Sequence, residues 1–203
     1  AFSTGNPRSS VPAAVGGNVK VASFNVLNYF TTIDQSGAAC APSNTRSDCR
    51  GADSAAEFTR QKAKTVAALA AIDADVVGLM EMQNNGNTAV NDLVAALNAQ
   101  VGAGTYAAAP LPAGGTGTDA IRVALIYKPG RLAVQGTPVS DTDPIHNRPP
   151  LLARFAAANG EGVTVVVNHF IHGMMVPTMM SATATIATIG QYWARISSVM
   201  SPS

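Results

Sequence analysis

The sequence predicts a layered α/β or α+β domain in which sheets pack against helices. Three observations support this fold class: a strand–helix–strand–helix order in the first half, several further strands behind it, and no internal repeat. The chain has 203 residues, of which 47% are apolar and 12% are charged, so it can form a packed core and is not a disordered chain. It contains no run near the roughly 20 apolar residues of a transmembrane helix.

The first half contains two predicted strands and two predicted helices. The β-rich run 19–26 predicts a buried strand, and the apolar run 76–80 predicts a second one. Ser54 and Glu57 have the spacing of a capping box, so we expect a helix to begin there. The apolar stripe of this helix consists of Phe58, Val66, Leu69 and Ile72. A second helix is predicted over about residues 88–99.

The second half consists mainly of predicted strands. A glycine-rich turn at 114–117 leads into the apolar run 120–127, the clearest strand in the sequence. The runs 151–156 and 163–168 are separated by a segment that contains an Asn-Gly pair, which is typical of turns. These two runs therefore predict a β-hairpin.

The two ends of the chain differ from its middle in composition. Residues 1–18 are rich in Gly, Pro, Ser and Ala and indicate a linker or N-terminal arm, in which no signal peptide is visible. Residues 19–170 form the predicted domain. Residues 171–203 contain no acidic residue but five of the seven methionines, so we expect them to form an atypical tail.

Cys40 and Cys49 lie nine residues apart in a polar loop rich in Ser, Asn and Pro. Their arrangement favours a disulfide that closes this loop, which implies an oxidising compartment. Two alternatives stay open from the residues alone. The cysteines could be free thiols in a cytosolic protein, or part of a metal site, although the sequence has no His or further Cys nearby to complete one.

Overall charge gives no sign of a nucleic-acid-binding protein, because 13 basic residues balance 12 acidic ones, so any polyanion site must be local. The candidate functional residues stand at strand ends, where layered sheets commonly bind ligands. They are Asn25, Glu81, Asp119 and His169. Glu81 could hold Mg²⁺ there, and His169 could act as a general acid or base whose ring Asp119 orients.

Each of these residues also has an ordinary structural interpretation. A Glu after an apolar strand is more often solvated, and an Asn near a strand end is usually a turn former. A His after a strand is commonly a structural residue with its hydrogen bonds satisfied. Residue patterns alone therefore indicate a layered domain with a candidate metal site.

Five blocks of sequence, taken in order, resemble one family. They are residues 20–30 (KVASFNVLNYF), 49–62 (CRGADSAAEFTRQK), 75–82 (DVVGLMEM), 117–129 (GTDAIRVALIYKP) and 165–170 (VVVNHF). Together they closely resemble the bacterial extracellular nuclease branch of the endonuclease/exonuclease/phosphatase superfamily, which has the fold of pancreatic deoxyribonuclease. The resemblance implies a four-layer α-β-β-α sandwich and metal-assisted hydrolysis of a phosphodiester.

The resemblance also implies roles for the four candidate residues. Asn25 would contact the scissile phosphate beside the metal, Glu81 would bind the metal, and Asp119 would pair with the catalytic His169. The implied cofactor is Mg²⁺, with Mn²⁺ and Ca²⁺ as alternatives. The implied partner is a nucleic acid, DNA rather than RNA, with neither a membrane nor a protein partner. The implied location is extracellular or periplasmic.

The sequence departs from the family pattern after Phe170. The family typically continues with an acidic glycine-rich loop and later with Asp-x-Asn and Ser-Asp-His motifs, and this sequence contains none of them. The tail has two Met-Met pairs, each encoded by ATGATG, which contains the Asp codon GAT in another frame. We hypothesise a frameshift near codon 170, with a divergent but genuine tail as the alternative. The DNA sequence around that codon distinguishes the two.

The leading functional prediction is a secreted, metal-dependent DNase-like nuclease that is impaired by the missing motifs, in a sandwich that is incomplete in its C-terminal half. Two alternatives stay open. One is another phosphodiesterase or phosphatase of the same superfamily, acting on a lipid or a small phosphoester. The other is a truncated remnant without catalytic activity.

Overall fold

A computed structural model describes residues 16–169 and the backbone of 185–187. Its elements, in chain order, are β1 (Val21–Tyr29), a 3₁₀ turn (Arg46–Asp48), α1 (Ala55–Ile72), β2 (Val76–Gln83), α2 (Thr88–Val101), β3 (Ala107–Ala108), β4 (Ile121–Tyr127), β5 (Leu132–Val134), β6 (Val139–Ser140), β7 (Leu151–Ala157), β8 (Gly162–Val167) and β9 (Thr185–Ala187). In this part of the chain, neither helix is long and apolar enough to cross a membrane. Most of the predicted N-terminal arm and of the predicted tail lies outside the described residues.

The strands form two sheets. The first has the order β1-β2-β4-β3, in which β1 and β2 are parallel and the other pairs are antiparallel. The second has the order β5-β7-β8-β9, with β6 also paired to β7, and all its pairs are antiparallel. Because parallel neighbours need a crossover, α1 connects β1 to β2. The hairpin predicted over the last two runs is confirmed as β7 and β8.

Helix α1 begins where the capping box predicts. The hydroxyl of Ser54 accepts a hydrogen bond from the amide of Glu57 at 3.2 Å. The Glu57 carboxylate reaches back to the amide of Asp53 at 3.0 Å, one residue before the cap. The first bond satisfies an amide donor that the first turn of a helix leaves without a partner, and the second ties the residue before the cap to that turn. The helix ends at Asp73, whose φ of 48° turns the chain out of the helical path.

Two apolar cores lie on opposite faces of the first sheet. The core between the helices and this sheet includes Val66, Leu69, Leu79, Leu93, Leu97 and Ile126. The core between the two sheets includes Val76, Leu125, Phe155, Val165 and Val167. The first sheet is therefore covered on both faces, which explains why β2 and β4 are nearly continuous apolar runs.

The order of layers is helix, sheet, sheet. The prediction of a mixed α/β sandwich with two packed sheets is confirmed. The fourth, helical layer and the expected incompleteness of the C-terminal half concern the tail, which lies outside the described residues apart from the backbone of β9.

The two sheets approach each other closely at Gly78 of β2. A Cβ atom on this residue would lie 2.8 Å from Cγ2 of Val167, which is closer than packed carbon atoms can approach. Glycine at this position therefore allows β2 to pack directly against β8.

Cys40 and Cys49 form a disulfide, so the prediction of a closed loop is confirmed and the free-thiol alternative is wrong. Both cysteines are buried in a small cluster with Phe30, Ala120 and Ile121. The disulfide thus fixes the loop to the start of β4 as well as closing it.

Candidate active site

Asn25 and Glu81 meet on neighbouring strands of the first sheet. The Asn25 amide nitrogen donates a hydrogen bond to Oε1 of Glu81 at 2.7 Å. The sequence predicted Glu81 just after its strand, but β2 continues through it to Gln83. Glu81 has a φ of 65°, and the pairing of β2 with β4 shifts register around it. This irregularity lets Glu81, which is half-buried, stand among fully buried neighbours of β2.

The turn after Asn25 holds both site residues in place. The Leu27 amide donates to Oδ1 of Asn25 at 2.8 Å, and the Asn28 amide donates to Oε2 of Glu81 at 3.1 Å. Leu27 and Asn28 both have left-handed backbone conformations, with φ of 56° and 50°. Such conformations are unfavourable for residues other than glycine and persist where surrounding contacts fix them, often at functional sites. Here they point two backbone amides at the Asn25–Glu81 pair.

Asp119 binds two arginines. Its Oδ1 lies 3.1 Å from Nη1 of Arg50, and its Oδ2 lies 2.9 Å from Nε of Arg148. Its position just before β4 is fixed by Asn84, whose side-chain amide donates to the Asp119 carbonyl at 2.9 Å. Asp119 therefore joins Arg50, which follows the disulfide, to Arg148, which precedes β7.

His169 lies two residues beyond the end of β8. Its ring contacts Glu81 of the first sheet and Arg148, which precedes β7 of the second. Its Nε2 lies 3.5 Å from Oε1 of Glu81. Its Nδ1 lies 3.2 Å from Nη1 of Arg148. Because a guanidinium can only donate hydrogen bonds, Nδ1 must accept, and the neutral ring then carries its proton on Nε2.

This arrangement differs from the expected Asp119–His169 pair. In the described part of the chain these two side chains share no direct hydrogen bond, because the Arg148 guanidinium lies between them and binds both. Asp119 thus acts on the histidine ring through Arg148. The structure brings Asn25, Glu81 and His169 together, and Asp119 is linked to them through Arg148.

The surroundings of His169 lower its pKa below the ordinary value. Burial of the ring is the largest cause, and the positive charge of Arg148 adds to it. The carboxylates of Glu81 and Asp119 act in the opposite direction but do not reverse the shift. The imidazole is therefore neutral at neutral pH and, through Nε2–H, available as a hydrogen-bond donor.

Arg50 and Arg148 were not predicted as site residues. Both lie in loops, where no hydrophobic period marks them, and each reaches Asp119 from a distant part of the sequence. A weak signal was present for both. Arg50 directly follows a predicted disulfide cysteine, and Arg148 precedes two prolines at the start of a predicted strand.

The residues of the site fit a hard divalent cation that keeps most of its water. Among the described residues, no group of three His, Cys, Asp or Glu side chains is placed to hold a metal ion. Glu81 supplies one carboxylate, whereas Asn25 turns its NH₂ group to Glu81 and accepts from the Leu27 amide with its oxygen, which keeps a second lone pair. Mg²⁺ is often bound by only one or two carboxylates together with water and substrate phosphate, so this donor set suits it.

Comparison with known proteins gives the family. The model of the endonuclease/exonuclease/phosphatase family matches residues 22–188, a range that includes Asn25, Glu81, Asp119 and His169. No curated protein matched the chain. The family typically consists of hydrolases that depend on divalent metals and act on phosphodiesters, which supports a hydrolase here. With a mixed α/β sandwich and a match over most of its length, the chain belongs to the endonuclease/exonuclease/phosphatase family.

Proposed function

We propose that the protein is a metal-dependent phosphodiesterase of the nuclease type that acts on nucleic acid, DNA rather than RNA, outside the cell or in the periplasm. The observation that carries this proposal is the contact between Glu81 and His169, 3.5 Å apart. It puts a carboxylate suited to a hard cation beside a neutral histidine, where the two sheets meet. The disulfide is compatible with the oxidising location.

In this proposal, Glu81 holds Mg²⁺ with help from the Asn25 amide oxygen, and Mn²⁺ or Ca²⁺ could replace it. The bound ion would withdraw charge from a phosphate oxygen of the substrate. The backbone amide of Asn28 and the side chain of Asn25 keep the Glu81 carboxylate in a single orientation. Little rearrangement is then needed when substrate arrives.

His169 acts on the substrate through Nε2, the ring nitrogen that faces Glu81. In the neutral tautomer that Arg148 favours, Nε2–H donates a hydrogen bond to a phosphate oxygen of the substrate. Arg148 contacts the other ring nitrogen, Nδ1, and so restrains the orientation of the ring. The ion pair with Asp119 keeps the Arg148 guanidinium in place.

The family's other acidic motifs do not occur in residues 171–203, and His172 cannot supply the negative charge of a second carboxylate. Residues of a hydrolytic site act as a unit, and losing members costs several powers of ten in rate. We therefore expect the isolated 203-residue chain to cleave DNA weakly or not at all. Robust cleavage that needs a divalent metal and disappears in His169→Ala would contradict this expectation.

Plasmid nicking with Mg²⁺ or Mn²⁺, set against an EDTA control, tests the function. Any nicking should be slow, and it should be lost in EDTA and in Glu81→Gln but kept in Glu161→Gln, whose carboxylate lies in the exposed β7–β8 turn. Nicking that survives EDTA, or is equal in Glu81→Gln, would overturn the proposal. Because activity is expected to be low, DNA binding by the same variants provides the second measurement.

A further inference from the structure

Arg50 forms an ion pair with Asp119 beside the candidate site and keeps part of its side chain exposed. On the basis of the proposed nucleic-acid substrate, we propose that Arg50 binds a backbone phosphate adjacent to the scissile one. The ligand class is therefore a polynucleotide, which carries a second phosphate, and not a phosphoester with a single phosphate group.

The first support is the way in which charge is arranged around Asp119. One carboxylate holds two guanidinium groups, Arg50 on Oδ1 and Arg148 on Oδ2. Two positive groups thus share this single carboxylate, and the side chain of Asp48 also lies within electrostatic reach of Arg50. Contacts then run in the order Arg50, Asp119, Arg148, His169, which leads from Arg50 directly to the proposed reaction centre.

The second support is exposure. The side chain of Arg50 is 41% exposed, whereas those of Asp119 and Arg148 are 11% and 12% exposed. Within the described residues, Asp119 is the ion-pair partner of Arg50. A guanidinium has five N–H donors, so most of them stay available to a ligand from solvent. Arginine suits a phosphate because two of its donors can bind two phosphate oxygens at once.

The third support is the rigidity of the backbone that carries Arg50. Its neighbour Cys49 is bonded to Cys40 and packs with Phe30 against the start of β4. The following residue, Gly51, lies so close to Phe30 that a Cβ atom there would clash with the Phe30 Cβ. Exposed arginines usually lose much side-chain freedom on binding, and a fixed backbone with one anchored N–H reduces that cost.

The disulfide and the residue next to Asp119 belong to the same buried cluster. Ala120, which follows Asp119, belongs to the buried cluster of Cys40 and Cys49. The two partners of the Arg50–Asp119 ion pair are thus each one residue from the same cluster. The disulfide, which closes the loop close to the site, therefore holds the backbone of Arg50 in position.

The dependence of DNA binding on salt tests the inference. Binding of a short fluorescein-labelled DNA duplex is measured by anisotropy in EDTA, from about 50 to about 200 mM KCl. Each phosphate contact on duplex DNA contributes about 0.9 to the slope of log K against log salt concentration. We expect Arg50→Gln to weaken binding and to reduce the slope by about that amount, and Arg50→Lys to retain most of it.

Arg46→Gln is the matched control. Arg46 lies in the same disulfide-closed loop, is 58% exposed and pairs with Asp34 instead of a residue of the site. Its loss should leave the slope unchanged, and all variants should keep the melting temperature of the original protein. An unchanged slope in Arg50→Gln, or an equal reduction in Arg46→Gln, overturns the inference alone. If the original chain shows no salt-dependent DNA binding, the proposed nucleic-acid substrate is wrong and the inference falls with it.

Discussion

Arg148 lies with its Nη1 atom 3.2 Å from Nδ1 of His169, so a group that can only donate hydrogen bonds faces one ring nitrogen. The same guanidinium is bound to Asp119 at 2.9 Å, which keeps it from swinging away. The contact therefore sets both the tautomer of His169 and the sign of the charge next to it.

The first prediction concerns the pKa of His169 in the metal-free protein. We expect it to lie below the ordinary 6.5, mainly because the ring is buried and secondly because Arg148 is positive. Arg148→Gln removes the second cause, so the pKa should rise. NMR titration of the ring protons in EDTA measures both values, with His169→Gln identifying the resonance. A value at or above 6.5 in the original protein would contradict the prediction.

The same shift has a consequence for stability. Because the folded state lowers the pKa of His169, the unfolded chain takes up this proton first as the pH falls. The contribution of the neutral ring to stability is therefore complete above about 6.5 and is lost as the pH falls toward the lower, folded-state pKa. Urea unfolding at several pH values should show a smaller loss over this window in His169→Gln.

The second prediction concerns metal binding. Glu81→Gln keeps the shape of the side chain but removes the charge that attracts a hard cation. We expect the affinity for Mn²⁺, measured by calorimetry, to fall on the order of tenfold or more. Glu161→Gln removes the same charge from the exposed β7–β8 turn and should bind as the original protein does. Equal binding by the Glu81 variant would exclude Glu81 from the metal site.

The third prediction concerns the disulfide. Without reductant, the intact mass should be two hydrogens below that of the reduced chain, and neither Cys40 nor Cys49 should react with an alkylating reagent. Replacing both cysteines by serine should lower the free energy of unfolding by about 2–3 kcal/mol, because the loop they close spans nine residues. Two alkylated thiols in the folded, unreduced protein would show that the bond does not form.

The fourth prediction concerns the close approach of the sheets. Gly78→Ala places a methyl group 2.8 Å from Cγ2 of Val167, so the sheets must move apart or the valine must shift. We expect a loss of about 1–3 kcal/mol in thermal or urea unfolding. Gly130→Ala is the control, since its Cβ would meet no atom within 4 Å. A stable Gly78 variant would mean that the intersheet packing adapts more easily than the contact indicates.

The sequence predicts the long elements well because they carry a period or a cap. Helix α1 is predicted by its capping box and apolar stripe, and β4 by an apolar run covered on both faces. The strands β3, β5 and β6 have two or three residues each, too few to show a period, and were not predicted. The second strand was predicted to end at residue 80 but includes Gln83, which is buried because its side chain binds the backbone amides of Thr31 and Thr32.

The candidate site could be predicted in part for a similar reason. Asn25, Glu81 and His169 lie in or just beyond predicted strands, so the topology alone brings them close. Both arginines lie in loops. Arg50 precedes Asp119 by 69 residues (119 − 50), and Arg148 follows it by 29 (148 − 119). Side-chain contacts between loops depend on how the loops fold, which no local pattern records.

The residues of the site come from both sheets, so a ligand bound there would link the two sheets. Asn25 and Glu81 belong to the first sheet, whereas Arg148 and His169 flank strands of the second. A ligand that contacts both groups of residues would hold the two sheets together. Since such a ligand binds only the folded chain, it would raise the unfolding temperature with its concentration. It would also protect the amides of β2 and β8 from hydrogen exchange. The exchange rates of these amides would therefore report ligand binding without any measurement of catalytic turnover.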